Sequence, residues 1–402
     1  MTADPDRRGA PWLIITIRHP DRVTENFADQ LVAGLAAHGH PAFVAVHGPE
    51  LGAQLAAVPL AELGGVIAIG PLPLGIRIGD QPLYQLLRCP FHFYILDTLL
   101  YDLLRFPFAA QFIADAWNDP RLVPVFAEKC TLDAWRAGPR PLAPPHSLYV
   151  PFAAFPEPPG PRPAVPVQRR LLVVGSIGTE LAAGTVQREL AGTLAESNAM
   201  ALSGNELARV AERLLAPGAR SNVVLDLFDV LQLAPRAALE PAVQAFACAA
   251  DSFMKRHRRL AAAQSLRGLP VDFAGSGWQQ AFGDEPSFRF LGNLPHSGLT
   301  RLMTFYAGLV NFDPNWEWGM HDRVYSALSV GTPVLTNANR APADEGLPAP
   351  LVATYVPNAP ALAAPAQALL DAPPAREPVR AIGWSDRVGR LLAPAPIEEL
   401  AA

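Results

Sequence analysis

The chain has 402 residues, about two to three times the usual domain length, so two domains is the first expectation. Half of its residues are hydrophobic and 17% are charged, too apolar for a disordered chain and ample for ordinary cores. The formal net charge of −5 argues against a nucleic-acid protein, which needs a broad basic surface to displace counterions.

Arg7 and Arg8 precede an apolar run from Pro11 to Ile17 that is too short for a signal-peptide core and reads as a first strand, Trp12–Ile17. Asp21–His38 follows with Phe27, Leu31 and Leu35 at helical spacing, and Gly39 stops it. Ala42–Val46 is the next strand, Glu50–Ala57 a short helix and Gly65–Ile69 a third strand. The apolar stretch from Leu55 to Ile78 is broken by three prolines, Glu62 and Arg77, so it predicts no bilayer span. Phe91–Leu96 and Leu122–Phe126 add strands, with helices at Phe108–Trp117 and Glu128–Trp135. Strands alternating with helices predict a parallel sheet covered on both faces, a Rossmann-like domain over residues 1–150. No G-x-G-x-x-G follows the first strand, which argues against a dinucleotide.

Pro139 to Pro166 carries eleven prolines, a stiff stretch that reads as the domain connection, with a strand at Ser147–Val150 and the linker proper at 151–168. The pattern then restarts over a second Rossmann-like domain, 169–385. Arg170–Val174 is a strand ending in Gly175-Ser-Ile-Gly178, and Glu180–Leu215, Asn222–Leu233 and Leu239–Ala262 are helical. Val271–Ala274, Phe288–Leu291, Gly308–Phe312 and Pro333–Thr336 are strands, with helices at Ser297–Tyr306 and Met320–Val330, the latter closed by Gly331. A weakly patterned tail, 386–402, completes the chain. The fold class expected is α/β, two Rossmann-like domains facing across a cleft, with ligands outside the carboxyl ends of the strands.

Cys89, Cys130 and Cys248 are scattered and odd in number, without C-x-x-C spacing, which fits a reducing cytoplasm better than a disulfide framework or a zinc knuckle. Lys129 and Lys255 are the only lysines, and neither follows a glycine loop, so there is no P-loop.

The most informative stretch is Gly308 to Arg340. A strand leads into Asp313-Pro-Asn-Trp-Glu-Trp-Gly-Met-His-Asp-Arg323, then a helix, then Gly331-Thr-Pro-Val-Leu-Thr336. A glycine-led helix start after a strand end offers unpaired amides and a positive dipole end to an anion. An arginine in that first turn, Arg323, is unfavourable to the dipole unless an anion neutralises it; as a surface residue it would pair with Asp322 or Glu317.

About 70 residues, Asp272 to Arg340, resemble the donor half of GT-B glycosyltransferases. They carry Phe290-Leu-Gly-Asn-Leu-Pro, Val310-Asn-Phe-Asp-Pro-Asn, Gly319-Met-His-Asp-Arg323 and Gly331-Thr-Pro-Val-Leu-Thr336. The run Gly319–Gly331 is similar to the G-[MV]-H-x-R-x-x-E-x-x-A-x-G pattern of the CgeB-like group. The resemblance implies the GT-B-like fold, a nucleotide-sugar donor on the C-terminal domain (a UDP-sugar as first choice) and an acceptor on the N-terminal one. That acceptor is a glycan, lipid, protein or small molecule. No cofactor and no obligatory metal are implied, and the sequence agrees: its one D-x-D is Asp4–Asp6, in the N-terminal tail. The resemblance places the diphosphate against Gly319, Met320, His321 and Arg323, with Asn315 and Trp316 beside it. Gly292, Asn293 and Leu294 would lie by the base, while Gly275 and Gly277 let the backbone approach the ligand.

Departures from the pattern are specific. Retaining relatives carry two Glu residues; the second position is Ser326, and the nearest acid to the first, Glu317, is offset by one. Ser329 stands where the group has Ala, and the basic residues that often follow the first donor-domain strand are replaced by Gly175-Ser-Ile-Gly178. A catalytically silent GT-B-like binding or scaffold protein and a nucleotide-sugar epimerase are therefore the alternatives to a transferase.

The resemblance also makes His19, just past the first strand, the candidate general base. Asp97, at the end of Phe91–Leu96, is a partner or substitute and Glu317 a further catalytic candidate. His19 also reads as a capping or solvated residue, and Asp97 as an N-cap. Lys255-Arg-His-Arg-Arg259 spreads its cations over one broad helix face, a solvated surface or a peripheral contact with an anionic membrane or acidic partner. Tyr306, Trp316 and Trp318 read either as core or as stacking surfaces for a base or sugar.

Overall fold

A computed structural model of the protein describes residues 9–393 apart from 20–21, 71, 97–98, 107–109, 112, 114–118, 138–140, 157–167, 178–185, 313–314, 359, 372–376 and 381. Asp97, the Asp4–Asp6 pair and most of the helix expected at Phe108–Trp117 lie outside the described residues. The chain divides into two compact units, Met1–Phe152 with Ala234–Gln244 and Gly383–Ala402, and Ala153–Leu233 with Ala245–Ile382.

The first unit holds β1 (Trp12–Ile17), α1 (Val23–Ala37), β2 (Ala42–His47), α2 (Leu51–Ala56), β3 (Gly65–Ile69), a two-residue antiparallel pair β4 (Arg77–Ile78) and β5 (Gln81–Pro82), and α3 (Leu83–Leu86). It continues with β6 (Phe91–Ile95), α4 (Leu99–Arg105), β7 (Leu122–Phe126), α5 (Lys129–Arg136) and β8 (Leu148–Tyr149). Its six-stranded sheet runs β2-β1-β3-β6-β7-β8, every pair parallel. Central strands β1, β3 and β6 are buried on both faces and so are almost wholly apolar, Thr16 and His92 being the exceptions, whereas edge strand β2 leaves Phe43 and Val44 exposed.

The first strand of the second unit is β9 (Gln168–Val174), followed by helices α6 (Val186–Glu196), α7 (Gly204–Leu215), α8 (Val223–Leu231) and α9 (Pro241–Gln264), of which the part from Ala245 onward belongs to this unit. Then come β10 (Val271–Ala274), α10 (Trp278–Phe282), β11 (Phe288–Gly292), α11 (His296–Met303), β12 (Tyr306–Val310), α12 (Asp322–Ser329), β13 (Val334–Asn337), α13 (Ala341–Asp344), β14 (Val352–Tyr355) and α14 (Ala363–Asp371). These strands form a parallel sheet in the order β11-β10-β9-β12-β13-β14. The direction of winding reverses between β9 and β12, the place where such sheets open a crevice at their carboxyl ends. Leu171, Val173, Phe273, Trp278, Phe312 and Leu335 belong to the core beneath it.

The tail differs most from its sequence reading. Trp384–Leu392 forms a helix, α15, that belongs to the first unit and packs on α1. Trp384 meets Phe27 edge-on at 4.3 Å, and a Cβ on Gly34 would come within 2.7 Å of Val388, so the two helices touch backbone to side chain. His38 Nε2 donates to Ser385 O at 2.7 Å, and buried Arg387 donates to Phe152 O at 3.1 Å.

His92 sits in the middle of the first sheet, 4% exposed, its Nδ1 3.3 Å from Val66 O and its ring against Trp12. Burial pushes its imidazole down to about 4, the bond to Val66 opposing only in part. The unfolded chain therefore takes up this proton first. The stability His92 contributes is complete above about pH 6.5 and is lost as pH falls towards 4, an effect of about 3 kcal/mol. His146 and His257 are shifted down by burial as well, so the test is a difference. Urea unfolding between pH 6.5 and 4 should lose stability more steeply in the wild type than in His92→Gln. Equal slopes would show that His92 does not carry the effect.

Candidate functional site

Three strands of the second sheet end in glycine turns side by side. β9 runs out at Gly175 (φ +134°), β10 at Gly275 (φ +132°), and β11 at Gly292 (φ +67°). Their pairing continues past the strand ends: Gly175 N donates to Ala274 O at 2.9 Å and Gly275 N to Gly292 O at 2.8 Å. At Gly275 only glycine fits, because its φ is left-handed and a Cβ would fall 2.3 Å from Gly175 O. Trp278 Nε1 donates to Gly175 O at 2.5 Å, and Ser276 N donates to Ser176 Oγ at 2.9 Å. Gly277 (φ +87°) then starts α10. The turn at Gly292, Asn293 and Leu294 flanks this backbone shelf at the edge of the sheet, with Gly292 and Asn293 exposed.

On the other side of the reversal, Asn311 directly follows β12 and is fully buried. Its Oδ1 accepts from Arg323 Nε at 2.6 Å and its Nδ2 donates to Thr336 Oγ1 at 2.9 Å. Thr336 Oγ1 in turn donates to Asn337 Oδ1 at 3.2 Å, and Asn337 Nδ2 holds Trp316 O at 2.9 Å. This chain of neutral amides and hydroxyls fixes Arg323 and the loop before α12 together. Arg323 makes no ion pair among the described residues, so the surface pairing with Asp322 or Glu317 does not occur. Its Nη1 lies 3.9 Å from where a Cβ on Gly175 would stand. Its Nη2 is buried with no hydrogen-bond partner among the described residues. A buried, unpartnered donor on a cation costs about 1–3 kcal/mol or more, and an anion at the crevice would offset it.

The α12 helix starts at Asp322, with His321 as its N-cap, two residues later than the expected Met320 start. His296 Nε2 lies 2.9 Å from Asp322 Oδ2. Burial alone would raise the Asp322 carboxyl, but the bond to His296 and the neighbouring Arg323 and His321 hold it below the usual carboxylate range. Trp316 is buried and stacks on His321 at 4.6 Å. Asn315 and Met320 are buried as well, anchoring the loop from beneath. Gly319 N donates to Asn339 Oδ1 at 3.3 Å, so in this structure its amide is directed at Asn339. Trp318 lies under the Arg340 guanidinium, 5.4 Å from the ring centre.

Three further sequence candidates are each held by a protein partner. Glu317 is clasped by Arg220, with Nε 3.1 Å from Oε1 and Nη2 3.0 Å from Oε2. Tyr306 is core: it opens β12 at the amino edge of the sheet, opposite the crevice, and donates to Asp272 Oδ2 at 2.9 Å. Ser326 is buried and accepts from Phe155 N at 3.0 Å. In the first unit, His19 lies exposed just past the carboxyl end of β1, where that sheet's order reverses between β1 and β3; its backbone N–H donates to Glu25 Oε2 at 3.3 Å. The basic run on α9 is not one solvated face, since Lys255 pairs with Asp251 at 2.9 Å and Arg258 is 2% exposed. Sequence reading missed Asn311, Asn337, Asn339 and Arg220 as parts of the site. The usable signal was an Asn at the carboxyl end of each of two buried strands, Asn311 directly after β12 and Asn337 closing β13.

The Arg220–Glu317 pair is partly buried, at 29% and 18% exposure, so breaking it should cost about 1–2 kcal/mol. Glu317→Gln should lower the melting midpoint by about 2–8 °C, and the charge-swapped double variant Arg220→Glu/Glu317→Arg should recover part of the loss. If Glu317→Gln left the midpoint unchanged while abolishing turnover, the carboxylate would belong to the chemistry instead.

No family model matches the chain, and no curated protein matches it in sequence. Among solved structures, sucrose-phosphate synthase from Thermosynechococcus elongatus is similar over 95% of this chain and 94% of its own, with a TM-score of 0.50 at 12% identity. The Anabaena protein HepE, solved in complex with UDP and glucose, gives a TM-score of 0.39 at 12% identity over 90% of each chain. The glycosyltransferase SnogD from Streptomyces nogalater gives 0.32 at 12% identity over 95% of this chain and 93% of its own. The two parallel-sheet units of this protein have the fold of the synthase, the GT-B glycosyltransferase architecture.

Proposed function

We propose that this protein is a metal-independent glycosyltransferase that moves a sugar from a nucleotide-diphosphate sugar to an acceptor nucleophile. The observation that carries this reading is the buried Nη2 of Arg323, which has no hydrogen-bond partner among the described residues, at the switch point beside the Gly175 turn. When a glycosidic bond to a diphosphate breaks, negative charge grows on the departing oxygen. A preorganised cation there favours the transition state over the ground state. Asn311 preorganises Arg323 for that task. His19 is the base we assign to removing the acceptor's proton, with Asp97 as the alternative. Uridine diphosphate is the first nucleotide to test, and the CgeB-like grouping rests on Gly319–Gly331 alone. Among the described residues no three His, Cys, Asp or Glu side chains gather as a metal-holding group. No helix among them is long and apolar enough to cross a membrane, and a cytoplasmic enzyme fits three scattered cysteines that form no disulfide among the described residues.

One observation favours the silent-binding alternative: Ser326, at the position of the second Glu, is spent on a backbone N–H and is buried. Turnover separates the two readings. A free sugar inverted at one centre would instead mark an epimerase.

A nucleoside diphosphate at about 100 times its dissociation constant adds about 2.7 kcal/mol to the native state, a rise of several degrees in melting midpoint. One of UDP, GDP, ADP, CDP or TDP should give that shift, with or without EDTA, and nicotinamide dinucleotides should not. Arg323→Ala should weaken the preferred diphosphate about 10- to 150-fold by calorimetry. A flat response to the whole panel at millimolar ligand would defeat the reading. With a donor and acceptor in hand, His19→Ala should lower turnover by about 10²–10⁴ with donor affinity nearly unchanged. Full activity in His19→Ala and none in Asp97→Asn would pass the base to Asp97.

A further inference from the structure

Between β9 and β10 the chain makes a long excursion through helices α6 to α9, far more than a parallel crossover needs. This excursion delivers side chains to both sides of the switch point. Arg220, just before α8, clasps the loop before α12 through Glu317. Arg259, near the end of α9, reaches the other side: its Nη1 donates to Ser176 O at 2.7 Å. Ser176 is exposed, and it directly follows Gly175, beside which Arg323 stands. Two guanidinium groups from different elements, α9 and α12, thus converge on consecutive residues of one turn at the carboxyl edge of the sheet.

The charge arithmetic gives this convergence a purpose. Two cations held at one turn repel each other, and the pairing is favourable when an anion of matching charge lies between them. The diphosphate bridge of a nucleotide sugar carries two negative charges, and Arg323 supplies only one positive charge. The carbonyls of the turn are both held by donors, Gly175 O by Trp278 Nε1 and Ser176 O by Arg259, so the acceptors that would repel an anion are covered. The same guanidinium that covers Ser176 O brings the second charge.

We propose that Arg259 is a second diphosphate-binding residue, acting with Arg323 on either side of the Gly175–Ile177 turn. This assignment rests on the nucleotide-diphosphate reading above. It also gives the helical excursion a part in donor binding: the helix that closes it, α9, brings in the second charge.

The test is calorimetry on the whole chain with the diphosphate from the panel that binds tightest, its monophosphate and its nucleoside, at several salt concentrations. Arg259→Ala should weaken the diphosphate about 5- to 30-fold, the monophosphate less, and the nucleoside not at all. It should also flatten the fall of affinity with salt, and Arg259→Lys should recover part of the loss. Unchanged diphosphate affinity in Arg259→Ala, with Arg323→Ala weakened as expected, would remove Arg259 and leave the nucleotide reading standing. Equal losses for diphosphate and nucleoside would mark a disturbed turn and also overturn the assignment. No binding of any panel member to the wild type would instead strike the nucleotide reading itself.

Discussion

The 2.6 Å bond from Arg323 Nε to Asn311 Oδ1 is the interaction on which the second unit's site depends. A guanidinium brought this close to a sheet's carboxyl edge must be held by something, and a carboxylate would neutralise it. Asn311 holds it without neutralising it. The amide fixes direction and leaves the charge to act on whatever enters the crevice. Because Asn311 is itself held by Thr336, and Thr336 by Asn337, the orientation of one cation is tied to the ends of two neighbouring strands.

The opposite wall of the crevice is built by backbone. Gly175 and Gly275 approach so closely that a side chain on the second would collide with the first. The result is a shelf of main chain with Arg323 on one side, and it requires glycine at Gly275 for steric reasons alone. The acidic side chains around the site are hydrogen-bonded to groups other than Arg323, although Asp322 still feels its charge. Asp322 is taken by His296, Glu317 by Arg220, and Asp272 by Arg170 and Tyr306. Arg323 is left beside the Gly175 turn while Asp322 and Glu317 are hydrogen-bonded to other side chains.

Most of the strands were legible because buried parallel strands are mostly apolar runs, with single polar residues such as Thr16 and Asp272; Trp12–Ile17, Gly65–Ile69, Leu122–Phe126 and Val271–Ala274 match residue for residue. The helix α15 was not, because its fit to α1 rests on Gly34 opposite Val388, more than 300 residues apart in sequence, and no local pattern reports such a pairing. At the site, Arg323 and the glycine turns were legible from their place after apolar strands. The partner of Glu317 was not legible: the sequence offers it as an acid one position off the pattern, and its carboxylate is bound by Arg220, 97 residues earlier in the chain. Tyr306 and the run at Lys255–Arg259 show the same limit. Whether a polar side chain on a buried element faces ligand, core or another charge is decided by long-range packing, which spacing does not encode.

The most direct measurement is a crystal structure with a bound nucleoside diphosphate. A phosphate oxygen should lie about 2.7–2.9 Å from Arg323 Nη2, over the Gly175 turn, with Arg323 Nε still on Asn311. A diphosphate bound at the amino edge of the second sheet, or anywhere that leaves Arg323 Nη2 without a partner, would contradict the account.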